Sequence, residues 1–213
     1  MQKVKSLTPK QEDRRHRILS AARDMVADHG YEGMVMSQVA DRAGVSPTTL
    51  YNLFNTKDQL VMESLRELMA ESAREVIAGS DGPGWRYLYE TQKSGAAMVV
   101  RSPAYADAML VALQRAKAGD DLVTVLIEIA ARDLQVSMDA MAERGELREG
   151  VNTRELAIAV NGVYWSSFIL WNKGVINLLQ LEHAVLMNFL SLLIPSTVGE
   201  TRAELEATLA DLG

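Results

Sequence analysis

The chain is predicted to fold as an all-α protein, on three observations. Helix-capping patterns recur from end to end, and the alternation of apolar and polar residues that marks half-buried strands is nearly missing. Tight-hairpin signals are scarce too, and Asp81-Gly82 runs into Pro83 and Gly84 in place of a strand. With 213 residues, 48% of them apolar, the chain can fill one large core or two smaller ones.

The elements follow in order. Thr8, with Pro9 next and Gln11 three residues on, forms a capping box with proline at the first helical position, so the first helix begins there. Its apolar stripe is Ile18, Ala22, Met25 and Val26, and Gly30 offers a left-handed stop. Ser37 can cap a short second helix ending near Gly44, Ser46-Pro47 opens a third, and Thr56 with Gln59 makes a capping box for a fourth that runs to about Ala78. The glycine- and proline-rich stretch 79–84 is the clearest break in the chain. Beyond it helices are expected over 85–101, from Ser102-Pro103 to about Lys117, over 120–143, from the Asn152/Glu155 capping box to about Lys173, and over about 178–194, where Pro195 stops the last. The tail 201–212 places Leu205, Leu209 and Leu212 on one face and forms either a short amphipathic helix or a frayed end.

Composition removes several kinds of chemistry. Without cysteine there is no disulfide framework, thiolate metal site or cysteine nucleophile. The three histidines, His16, His29 and His183, never fall at the spacing that sets two ligands on one helical face, so no metal is expected. No glycine-rich phosphate loop is in place, and the 79–84 stretch lacks the lysine such a loop needs. No catalytic residue or cofactor is assigned; a small-molecule enzyme or a helical scaffold is the competing class. The apolar run 184–194 falls short of the roughly 20 residues of a membrane span, and residues 1–10 lack a signal-peptide core, so a soluble cytoplasmic protein with no membrane partner is expected. The net charge of −6 is unevenly spread, with nine Lys/Arg against six Asp/Glu over residues 1–57 and thirteen against twenty-two thereafter.

Between Met36 and Leu53 small and apolar residues fall where two short helices crossing at a tight turn need them. Val39, Ala40 and Ala43 face inward on the first, Gly44 sits at the turn, Val45 follows, and Leu50 and Leu53 face back from the second. The segments Ile18-Leu-Ser-Ala-Ala22, His29-Gly-Tyr31, Val39-Ala-Asp-Arg-Ala-Gly-Val-Ser46 and Thr49-Leu-Tyr51 through Phe54, Lys57 and Leu60 resemble the amino-terminal domain of the TetR family of transcriptional regulators, over about residues 12–65. The remainder is similar only in its helical pattern and in Gly145-Glu-Leu-Arg148 before a long helix. The resemblance implies an N-terminal three-helix helix-turn-helix DNA-binding domain at 1–58. It also implies a C-terminal helical ligand-binding and dimerisation domain at 59–213, joined by a linking helix at about 57–78. Its expected partners are double-stranded DNA bearing a palindromic operator, a second copy in a homodimer and a small-molecule effector.

On that reading Thr48, Thr49, Tyr51 and Asn52 stand on the recognition helix, where hydroxyl, methyl, ring and amide groups can meet phosphates or base edges. In the family the position of Asn52 is often histidine. Lys57 fits a phosphate anchor, and Ser37, Gln38 and Arg42 can reach DNA beside it. Ser37 and Thr56 serve equally well as helix caps, Tyr51 as a packing residue, and the run Arg14-Arg15-His16-Arg17 as a solvated helix face.

The last two long helices are apolar on nearly every face and need cover on both sides, which a second copy would supply through Val160, Phe168, Val185, Phe189 and Leu192. Aromatic and Met side chains at Trp85, Tyr89, Met98, Tyr105, Met109, Tyr164 and Trp165, with Asn161 beside them, suit an adaptable cavity for a mainly apolar, neutral or weakly charged molecule; the same side chains suit plain core.

Overall fold

A computed structural model of the chain describes residues 8–78, 82–117 and 119–213. Residues 79–81 of the expected break, and 1–7 of the amino terminus, lie outside the described residues. The described residues are helical, with one isolated bridge between Leu147 and Thr197. The helices are α1 Pro9–Gly33, α2 Met36–Ala43, α3 Pro47–Leu53, α4 Lys57–Ala78, α5 Trp85–Arg101, α6 Pro103–Arg115, α7 Asp121–Val123, α8 Ile129–Glu143, α9 Thr153–Asn172, α10 Leu181–Leu193 and α11 Gly199–Leu212. A π turn, Thr124–Glu128, joins α7 to α8, and 3₁₀ turns at Leu178–Gln180 and Ile194–Ser196 flank α10. Asn161-Gly162, a hairpin signal when read alone, lies inside α9, where neighbours at helical spacing outweigh it.

The starts are those the capping residues dictate, with local differences. Gln11 Oε1 accepts from Thr8 N at 2.8 Å and from the Thr8 hydroxyl at 3.1 Å. At α4 the Thr56 hydroxyl accepts from Gln59 N at 3.1 Å, while the Gln59 side chain reaches back one residue further, to Asn55 N at 3.0 Å. Ser37 is not a cap. Val35 holds the cap position of α2, and Ser37 sits exposed in the first turn. Gly30 (φ 72°) interrupts α1 and Gly44 (φ 66°) ends α2, both in the left-handed region that a side chain disfavours.

Packing divides the chain into two compact units. The first comprises Met1–Met69 with Ser102–Ala112, the second Ala70–Arg101 with Leu113–Gly213. Residue 58, where the sequence suggests a boundary, falls near the start of α4; Leu60, Val61, Met62 and Leu65 on that helix are buried in the first unit. Ile18, Leu19, Ala22, Val26, Val39, Ala40, Leu50 and Phe54 are likewise closed to solvent there. Leu53, expected to face inward, is 39% exposed, and Phe54 takes its place in the core because the chain leaves helical geometry at that residue.

The second unit gathers Trp85 and Leu88 of α5, Leu134, Met138 and Met141 of α8, Leu156, Ala157 and Val160 of α9, Phe189, Leu190 and Leu193 of α10, and Leu205 of α11 into one core. The tail is therefore an anchored helix. Joined to its flanking turns, α10 extends to Leu178–Ser196, 19 residues, long and apolar enough by length and composition to cross a membrane, which corrects the shorter run read from sequence. Its inner face, Leu181, Val185, Leu186, Phe189, Leu190 and Leu193, is buried within the unit.

Candidate nucleic-acid interface

The reading head is α2, the turn at Gly44 and α3. The turn is closed by Gly44 N donating to Asp41 O at 3.2 Å and Val45 N donating to Ala40 O at 3.0 Å. Arg17 reaches from α1 to donate to Ala43 O at 2.7 Å, satisfying a carbonyl that the end of α2 leaves open. Ser46 caps α3 by accepting from Thr49 N at 3.1 Å. A bracket of α1 side chains fixes the head to α4. Arg15 pairs with Glu63 at 2.5 Å and lies over the Phe54 ring, His16 stands 3.5 Å from Glu67, and Arg23 donates to Glu67 at 2.9 Å and to Ser64 O at 3.3 Å. The basic run of α1 is thus largely occupied within the head.

On the outer surface Thr48, Tyr51 and Asn52 are exposed, Tyr51 by 50%. Thr49 is half-buried, and its hydroxyl is 2.9 Å from that of Ser46. Ser37 and Gln38 are exposed on the first turn of α2. Arg42 is exposed as well, but it donates to Asp28 at 2.7 Å and has Asp24 at 3.8 Å, and this hydrogen bond and its charge hold the Asp28 carboxyl below its usual range. Lys57 Nζ donates to Glu32 O at 3.0 Å and lies 5.1 Å above the Tyr31 ring. The Tyr31 hydroxyl in turn donates to Asp58, and burial, followed by that bond, pushes the phenol well above its ordinary value. Sequence reasoning missed Arg17, Asp28 and Tyr31 as positioning groups. His29-Gly-Tyr31 was the available signal for Tyr31, while nothing in the spacing marks the other two.

Seven of the eight residues expected around a cavity separate into three groups. Trp85 is buried, its ring edge-on to half-buried Tyr89 at 6.5 Å and its Nε1 donating to Glu204 at 3.2 Å, so it joins α5 to α11. Tyr105 and Met109 are buried in the first unit, the Tyr105 hydroxyl 3.4 Å from that of Ser64. Asn161, Tyr164 and Trp165 lie together on α9 with Phe168, the Tyr164 ring 4.6 Å from Phe168 and 5.6 Å from Trp165. Met98 is half-buried on α5.

The residues expected at a dimer face lie largely inside the chain. Val160, Phe168, Val185 and Phe189 are buried by this chain's own core and Leu192 is half-buried. The α9 and α10 helices each have two apolar faces, and the sequence alone does not say which one the chain keeps for itself. On α9 the face left open carries Ile158, Ile169 and Leu170.

Two short helices crossing at a left-handed glycine, with a polar and aromatic outer face, define a helix-turn-helix head of the kind that reads duplex DNA. Residues 18–63 match the model of the bacterial regulatory proteins of the tetR family. It is 38% identical over 103 residues to the HTH-type transcriptional repressor KstR of Mycobacterium tuberculosis, 46% of each chain. It is 34% identical over 65 residues to the HTH-type transcriptional regulator BetI of Agrobacterium fabrum, 30% of this chain and 32% of that one. The matches thus span about a third to a half of these relatives' lengths. The fold is similar to that of FadR from Bacillus subtilis, solved with stearoyl-CoA, with a TM-score of 0.67 and 19% identity over 80% of this chain and 94% of the other.

Proposed function

We propose that the chain is a ligand-responsive transcriptional regulator, a repressor that binds a palindromic operator as a homodimer and is released by a small, mainly apolar molecule. The observation that carries the reading is the exposed row Thr48, Tyr51 and Asn52 on α3, held in a head where Arg15, Arg17 and Arg23 are internally engaged. Base reading falls to those three, with Thr49 keeping α3 capped and Lys57, pinned at the start of α4, meeting a phosphate. The open apolar face of α9, with Ile158, Ile169 and Leu170, supplies the dimer contact, and two-fold symmetry then matches an inverted repeat. DNA as partner places the protein in the cytoplasm. The C-terminal unit is where an effector acts, by binding one conformation of the dimer better than the other.

Selection from a random duplex pool, followed by titration at several salt concentrations, tests this. An enriched inverted repeat with a steep salt slope is expected; weak binding without enrichment overturns it. On the selected site, Tyr51→Ala should relax base discrimination, while Lys57→Ala should weaken all sequences alike and flatten the salt slope by about one unit.

A further inference from the structure

Among the described residues of the second unit, three buried side-chain polar atoms have no hydrogen-bond partner: Ser137 Oγ, Asn161 Oδ1 and Trp165 Nε1. Interiors rarely leave such atoms unmade, so each calls for an explanation. Ser137 lies at the level of the α8–α9 connection, where Gln135 and Asp139 both bond to Thr153 at the start of α9, at 2.9 and 2.6 Å. Asn161 and Trp165 are different. They stand one helical turn apart on α9, and so are neighbours, one offering an acceptor and the other a donor.

The surroundings of this pair are specific. The Thr153 bonds tie α8 to the start of α9, and the two helices pack against each other. From α5, Gly95 leaves room for Tyr164, whose hydroxyl lies 2.0 Å from where a β-carbon would stand. No charged side chain is among the buried residues of this unit in the described structure; the buried polar ones are Gln92, Ser137, Asn161, Ser167 and Thr197. A carboxylate, phosphate or ammonium entering here would lack a counter-charge. Trp165 Nε1 is already closed off by this chain's own atoms, so a second copy docking from outside does not reach it.

We propose that Asn161 Oδ1 and Trp165 Nε1 are the polar contacts of a site for an uncharged small molecule with an apolar body that carries a hydrogen-bond donor and an acceptor close together. The donor meets Asn161, the acceptor meets Trp165, and Tyr164 and Phe168 flank the apolar part. This rests on reading the chain as ligand-responsive, and it names the chemistry of the effector.

The test uses the full chain with four probes of equal length: decanamide, methyl decanoate, decanoate and decylammonium. Calorimetry is expected to show decanamide binding about tenfold more tightly than methyl decanoate, which has no donor for Asn161, with both ions weaker still. Asn161→Leu should erase the preference of amide over ester and raise the Tm of the ligand-free protein, since it removes an unpaired buried atom. Trp165→Phe should weaken amide and ester alike, because both lose the same donor. A lower Tm for Asn161→Leu with the amide preference intact makes Asn161 a structural residue and overturns the assignment. Equal binding of amide and ester, as when a fixed water occupies the two atoms, overturns it too. Tighter binding and operator release by decanoate sinks the neutral-ligand inference while leaving the ligand-responsive reading standing; no binding by any probe, with operator affinity unmoved, counts against both.

Discussion

In the first unit the arginines of α1 close onto their neighbours: Arg15 onto Glu63, Arg17 onto the last carbonyl of α2, Arg23 onto Glu67 and Ser64 O. Arg14 Nε is the exception, buried there without a partner. In the second unit polar groups sit inside without such closure. Asn161 and Trp165 keep unpaired atoms, and burial alone pushes the Tyr164 phenol above its ordinary value. The difference fits the two roles proposed for the regions. A surface that must present Thr48, Tyr51 and Asn52 in one register gains from internal ties that leave little freedom. On the proposed reading, an interior that accepts a guest keeps groups unsatisfied, each at a cost of roughly 1–3 kcal/mol that a guest can recover.

The contrast can be broken most forcefully at Phe54. It is fully buried where α3 ends, under the Arg15 guanidinium, and Phe54→Ala should cost about 3–5 kcal/mol and abolish operator binding. Chemical denaturation with a probe in the first unit checks the size. A loss below about 1 kcal/mol would mean that the head is not the tightly determined region described.

A smaller effect is expected at Gly95. A β-carbon there would lie 2.0 Å from the Tyr164 hydroxyl and 3.1 Å from the ring carbon that bears it, so Gly95→Ala should cost about 1–3 kcal/mol. Adding Tyr164→Phe removes the nearer contact and should recover part of the loss, and a double-mutant cycle measures the recovery. Strict additivity would show that the phenol moves aside freely.

The smallest effect should appear in acid. Arg42 favours the ionised form of Asp28, so the folded pKa lies below the unfolded one. The stabilisation is then complete above the ordinary carboxylate value, about 3.9, and is lost as pH falls through the lowered one. Both side chains are half-exposed, so solvent keeps the contribution small. Asp28→Asn should flatten this acid limb of the stability profile; an unchanged limb would show that the pair forms without consequence for folding.

Much of the head was legible in the sequence because its signals are local. Ser46-Pro47 and Thr56/Gln59 act within one helical turn, and Gly44 answers to its own φ angle. The exposure of Thr48, Tyr51 and Asn52 follows from the inward set Val39, Ala40 and Leu50. Leu53 broke the pattern because helical phase no longer governs a residue where the helix ends. The residues expected around a cavity were legible only as types. Aromatic and Met side chains look alike whether they join α5 to α11, as Trp85 does, pack in the first unit, as Tyr105 and Met109 do, or border unpaired polar atoms, as Tyr164 does.

By itself, then, the sequence determined the helical class, most helix starts and the exposed face of α3, since capping, glycine conformation and apolar periodicity each operate over a few residues. Tertiary structure alone decided which apolar face of α9 and α10 the chain covers, which unit takes α6, and which polar atoms remain unpaired. Those outcomes depend on which distant segments come together, and residue type and spacing along one helix do not encode that choice.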